Sequence, residues 1–203
     1  VRALEAALAW AEARPAAVLA LVFVLAAIEA VPVLGWLFPA AIVLVAAAAA
    51  GSAADVPVAE MLAAALAGAV LGDGLAYWLG GRYGARLLAW PAFARHGAAL
   101  TTAAEWVGRR GALAVFGGRF MPGLRAVAPF AAGMLGLRAV PFWVANGIGS
   151  LLWAPAHVLS GAALPDIFVW LKRHDYALAG LAALALAGAA WWYLRRRVDQ
   201  AKS

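Results

Sequence analysis

The sequence predicts an all-α membrane protein: about four transmembrane helices plus two Pro/Gly-broken re-entrant hairpins in an inverted-repeat arrangement, with a short amphipathic surface helix between the halves. Three observations predict it. Of 203 residues, 67% are hydrophobic and 13% charged, with a mean hydropathy of +0.87; a soluble domain carries roughly 25% charged residues. Intact apolar runs long enough to cross a bilayer alternate with two apolar runs interrupted by proline and glycine. The basic residues, finally, collect on one side of the plan these runs define.

Residues 1–14 form a polar-to-amphipathic lead, and Pro15 suits the first turn of a helix, where its missing N–H has no partner to lose. No cleavable signal peptide is expected, because the first apolar run starts only at Pro15, after Glu5 and Glu12, and continues for a full span. That span reaches about Leu34 and carries Glu29 near its end. The next run, VPVLGWLFPAAIVLVAAAAAG, is broken at Pro32, Gly35 and Pro39. Such breaks free backbone groups that hydrocarbon cannot satisfy, so the run reads as a hairpin packed inside protein. SAADVP closes it with a polar turn. A second span covers 58–79, with Gly68-x-x-x-Gly72 as a close-packing face and Asp73 in its later half. It is expected to end at the glycines of GGRYGARLL.

Pro91 to Gly111 is the sizeable polar connection, and Thr102-x-x-Glu105 has the spacing of a reciprocal cap at a helix start. A short helix on the membrane surface is expected there. Ala112 to Leu137 then dips in, broken at Gly117, Gly118, Pro122, Gly123 and Pro129, and mirrors the first hairpin. Val140 to Leu164 is the third span, with Asn146 and His157 inside it. LPDIFVWLKRHD reads as a turn, and Tyr176 to Leu194 as the last span, stopped by Arg195, Arg196 and Arg197. The chain is thus read as one domain, 1–203, with repeat halves at approximately 15–90 and 91–194.

The net charge of +6 is scattered over the ends of apolar segments, which suits membrane topology and not nucleic acid. With both termini cytoplasmic and both hairpins re-entrant, 12 of the 16 Lys and Arg residues fall inside, Lys172 and Arg173 fall outside, and Arg119 and Arg125 are embedded. Zero cysteines exclude disulfides, thiolate metal sites and a cysteine nucleophile. No cofactor and no metal are expected.

A guanidinium at bilayer depth costs about 2.5 to 3.5 kcal/mol on insertion scales, so it faces a cavity, an acidic partner or an anionic ligand. Arg119 and Arg125 lie six residues apart across Met121-Pro122-Gly123, where a turn sets them on two arms, or at the mouth, of one hairpin. Their planar forks suit a phosphate head group, and free N–H groups at a broken helix start add to it. A static salt bridge from each arginine to Glu29 or Asp73 stands beside that reading. Buried alone, each acid would take up a proton near neutral pH; beside an arginine it would stay ionised. Asn146 is expected to hydrogen-bond between helices or to contact the substrate directly, and His157 to be hydrogen-bonded locally or to relay protons. His96 and His174 read as surface residues. Trp78, Trp90, Trp106, Trp170, Trp191 and Trp192 fall near span ends as belt residues; Trp36 and Trp153 stand near the hairpins, as packing or as walls for an acyl or prenyl chain.

Gly-Arg-Phe-Met-Pro-Gly-Leu-Arg at 118–125, followed by Ala132-Gly133-Met134, Phe142, Asn146, Gly149 and Trp153, resembles the DedA family, which shares a domain with eukaryotic lipid scramblases of the VTT type. Gly72-Asp73, Tyr77, Gly80, Arg82 and Gly84 support the resemblance, which covers most of 29–161. It implies a bacterial inner-membrane, multi-pass protein with two re-entrant hairpins that moves a lipid head group, undecaprenyl phosphate or phosphatidylethanolamine, with proton coupling proposed. The embedded acids and arginines of the family map onto Glu29, Asp73, Arg119 and Arg125, with Pro39, Gly118, Pro122, Gly123, Asn146 and Trp153 in support. One departure is Pro39-Ala40-Ala41, which stands where the family often has Pro-Gly-acid.

The partners implied are membrane lipids (a polyprenyl phosphate or a phospholipid) and protons, with no nucleic acid; surface glycines fit internal packing or a homo-oligomer contact equally well. Rival readings are a proton or ion antiporter using Glu29 and Asp73 alone, an intramembrane lipid phosphatase, and a structural scaffold. For a phosphatase the chain offers only His157 and Ser160, with no neighbouring acid, and no enzyme activity is expected.

Overall fold

The computed structural model describes residues 9–32, 34–37, 40–88, 90, 97–121, 124–173 and 180. The readings made on Pro39, Pro122, Gly123, His96, His174 and the last span fall outside these. Every regular segment described is helical: α1 (Pro15–Ala30), α2 (Leu34–Leu37), α3 (Ala40–Ala53), α4 (Val58–Leu88), α5 (Gly97–Arg110), α6 (Ala112–Gly118), α7 (Ala128–Met134) and α8 (Ala139–Arg173). Contacts divide the chain into two units, 1–163 and 164–203.

Several boundaries differ from those read in the sequence, each for a local reason. The first helix stops at Ala30, short of Leu34, because Val31 precedes Pro32 and is pushed into extended backbone (φ −89°, ψ 125°). Its 16 residues measure about 24 Å, less than the roughly 30 Å of a hydrocarbon core. α4 does not end at Gly80 and Gly81 but continues to Leu88. Those glycines are packing surface: a Cβ at Gly80 would land on the carbonyl oxygen of Phe130, and one at Gly133 on that of Tyr77. α5 starts at Gly97, so Thr102 caps nothing; its hydroxyl donates back to the Ala98 carbonyl at 2.9 Å. A helix is present there, burying Leu100, Ala103 and Val107 on one stripe. The turn expected from Leu164 is helical through Arg173; Pro165 is its only breaker, and long apolar helices absorb a proline.

Among the described residues, two helices are long and apolar enough to cross a membrane, over Val58–Gly84 and Ala139–Ile167. α6 and α7, at seven residues each, measure about 10 Å and cannot cross alone. They flank residues 119–121 and 124–127, which are turns and bends and carry both arginines.

Lipid tails are as apolar as leucine, so helices in a bilayer associate by close backbone approach. The Gly68-x-x-x-Gly72 face provides it between α4 and α1: a Cβ at Gly72 would lie 2.6 Å from the Ala27 carbonyl oxygen. The buried side chains form two clusters. One gathers α1, α3 and the first half of α4 with Trp153, Ala154 and Val158. The other gathers Ala76 of α4 and helices α5 to α7 with Phe142 and Ala145. α4 and α8 therefore run through both clusters, and the side chains they bury between the two are polar: Asp73, Asn146 and Ser150.

Candidate functional site

On α4, Asp73 falls between Ala69 of the first cluster and Ala76 of the second. On α8, Asn146 and Ser150 fall between Ala145 and Trp153 in the same way. This seam is where the structure brings together Glu29, Asp73, Arg119, Arg125, Asn146 and Trp153. Asp73 stands two residues past the middle of Val58–Gly84, and Trp153 is the middle residue of Ala139–Ile167.

Arg119 follows the last residue of α6, and its Nη1 group forms an ion pair with Asp73 and donates to Asn146 Oδ1 at 3.2 Å. Asn146 is fixed in turn: its Nδ2 donates to the Val70 carbonyl at 3.0 Å, and Ser150 Oγ donates to its Oδ1 at 3.2 Å. The expected interhelical hydrogen bond of Asn146 thus ties α8 to α4. Ser150 was not singled out in the sequence, although Asn146-x-x-x-Ser150 sets the two on one helix face. Gly149 leaves room for the arginine stem, since a Cβ there would be 3.2 Å from Arg119 Cδ.

Arg125 pairs with Glu29, Nη1 to Oε1, at 2.5 Å. The side chains of Arg119 and Asp73 are 5% and 4% exposed, those of Arg125 and Glu29 17% and 9%. Two cations and two anions cancel, as a low-dielectric site requires. One indole serves both arginines: the guanidinium carbons of Arg125 and Arg119 stand 4.5 and 5.6 Å from the Trp153 ring centroid.

Four buried atoms of this cluster have no hydrogen-bond partner among the described residues: Arg119 Nε, Arg119 Nη2, Trp153 Nε1 and Glu29 Oε2. Buried polar groups are satisfied in roughly nine cases of ten, so four orphans in one place are unusual. Three are donors. Nε and Nη2 form the edge of a guanidinium that grips two oxygens of an oxyanion at once, and Asp73 and Asn146 occupy only the other end.

Two further residues behave otherwise. Gly118 packs against α7, where its Cβ would lie 2.9 Å from that of Ala128. His157 stacks on Trp153 with centroids 4.2 Å apart and sets Nδ1 3.0 Å from the Trp153 carbonyl, while Ser160 donates to the Ala156 carbonyl. No group of three His, Cys, Asp or Glu side chains is placed to hold a metal among the described residues.

A family model described as the VTT domain matches residues 38–163, more than half of the chain. The chain belongs to the DedA family of VTT-domain membrane proteins. It is 29% identical over 133 residues to the inner membrane protein YabI of Escherichia coli, a match covering 64% of this chain and 52% of YabI. With the inner membrane protein YohD of the same organism it shares 30% over 135 residues, covering 64% and 69%. With the membrane protein slr0232 of Synechocystis it shares 31% over 160 residues, covering 72% and 71%. The aligned stretch thus spans about half the length of YabI. No solved structure matches the chain significantly. Within the DedA chain, all six side chains of the seam except that of Glu29 fall inside the matched domain.

Proposed function

We propose that this DedA protein moves a phosphate-bearing lipid head group across the bacterial inner membrane, with undecaprenyl phosphate as the leading substrate and phosphatidylethanolamine or a general phospholipid as the alternative. The observation that carries the reading is the free Nε and Nη2 edge of buried Arg119, with the Trp153 indole N–H beside it. Three orphan donors suit an oxyanion and nothing cationic. The reading includes re-entrant hairpins on either side of the seam, both termini in the cytoplasm, and no enzymatic step. It is supported by the short arms α6 and α7 and by the depth of Asp73 and Trp153 in their helices.

In the proposed cycle the lipid phosphate docks on the Arg119 edge and competes with Glu29 for Arg125. The released carboxylate takes up a proton, which couples movement to the proton gradient. Glu29 suits this role because it holds Arg125 through one oxygen only and leaves the other unpaired. An antiporter using the acids alone has less support, since each acid is engaged by an arginine. A phosphatase has less still, with Ser160 turned to a backbone carbonyl.

Vesicles reconstituted with the protein test this by outer-leaflet head-group accessibility of undecaprenyl phosphate and of phosphatidylethanolamine. Arg119→Ala and Arg125→Ala are each expected to abolish movement of the true substrate. Movement of either lipid untouched by both changes rejects the site, release of inorganic phosphate favours an enzyme, and pH-driven ion flux without lipid movement favours an antiporter.

A further inference from the structure

A second pair of arginines lies further along α4 and takes no part in the seam. Arg82 and Arg86 are one turn apart, both exposed, and line a pocket of about 340 Å³ with Gly80, Gly81, Tyr83, Gly84 and Met134. Neither makes an ion pair among the described residues, and no acid lines the pocket. Glycine lets Met134 close one wall of the pocket against α4: a Cβ at Gly84 would lie 2.9 Å from Met134 Cγ.

Their depth follows from helix geometry. Arg82 is eleven residues beyond the middle of Val58–Gly84 and Arg86 fifteen, about 16 and 22 Å along the axis. Half of a hydrocarbon core is roughly 15 Å, so a bilayer centred on the middle of that span sets both arginines at head-group level. The aromatic residues agree. Trp78 is 54% exposed and meets Tyr83 edge to face at 5.7 Å, and Arg82 rests 5.3 Å from the Tyr83 ring. An amphipathic Trp–Tyr pair of this kind marks an interface.

We infer that this pocket is an anion site at the membrane surface, which takes the phosphate of a lipid head group or a free phosphate. A basic pocket between helices at the interface has the chemistry for it, and among the described residues no carboxylate neutralises these arginines as Asp73 and Glu29 do those of the seam. The site is separate from the one that carries lipid across, and stands whether or not that reading holds.

The test reconstitutes the full chain in vesicles containing a photoreactive phosphatidylglycerol and maps the adducts by peptide mass spectrometry. Labelling at Tyr83 and Met134 is expected, and to fall about thirtyfold in Arg82→Gln with Arg86→Gln. Both positions are exposed, so folding is not at stake. Arg109→Gln with Arg110→Gln, which removes exposed arginines elsewhere, leaves labelling unchanged. Displacement by excess inorganic phosphate names the free anion as ligand, and persistence names the lipid. Labelling unaltered in the Arg82/Arg86 variant, or lost equally in the Arg109/Arg110 variant, overturns the inference.

Discussion

The two ion pairs of the seam look alike in composition and differ in how they are held. Arg119 and Asp73 sit in a network that reaches Asn146, Ser150 and the Val70 carbonyl, with both side chains almost fully enclosed. Arg125 and Glu29 have each other and the face of Trp153, and are more exposed. The contrast separates two jobs. A cation that must present a fixed edge needs its other end anchored, whereas a cation that must change partners cannot be anchored twice. We read Arg119 as the fixed receptor and Arg125 with Glu29 as the exchanging pair.

The largest effect is expected where the network is cut. Asp73→Asn leaves a buried guanidinium without its counter-charge and should destabilise the protein by about 3–5 kcal/mol, seen as loss of the folded species on denaturant titration in detergent. Glu29→Gln should destabilise by less, about 1–2 kcal/mol, because Arg125 is nearer solvent and keeps its aromatic contact. Equal losses in the two variants would erase the distinction. Asn146→Ala should cost about 0.6–2 kcal/mol and reduce transport by loosening Arg119, which thermal unfolding and lipid accessibility measured on one preparation can resolve. Trp153→Leu, which keeps an apolar volume but removes the ring, should cost about 0.5–1 kcal/mol and lower the transport rate more than stability.

What the sequence made legible was the chemistry that follows from composition and spacing. Arginines in a broken apolar run, acids inside spans and the Gly68–Gly72 face all announced themselves, because charge at depth and helical close packing leave marks in one dimension. The pairing did not. Which acid meets which arginine depends on how α1 and α4 stand against the 119–127 stretch, and spacing says nothing of that. Helix ends were misjudged where one residue had two uses: Gly80 ends helices in general but here admits α7, and Thr102 can cap or bond back along its own helix. Val31 before Pro32 was a readable stop for α1 that hydropathy alone overrode.

We propose that Arg119 offers a two-donor edge while Arg125 supplies a charge that moves between partners. Lysine keeps the charge and loses the fork, so the direct measurement is undecaprenyl phosphate accessibility in vesicles holding Arg119→Lys or Arg125→Lys. Arg119→Lys is expected to slow movement at least about tenfold while Arg125→Lys retains most of it. Wild-type movement with Arg119→Lys, or loss confined to Arg125→Lys, would contradict it.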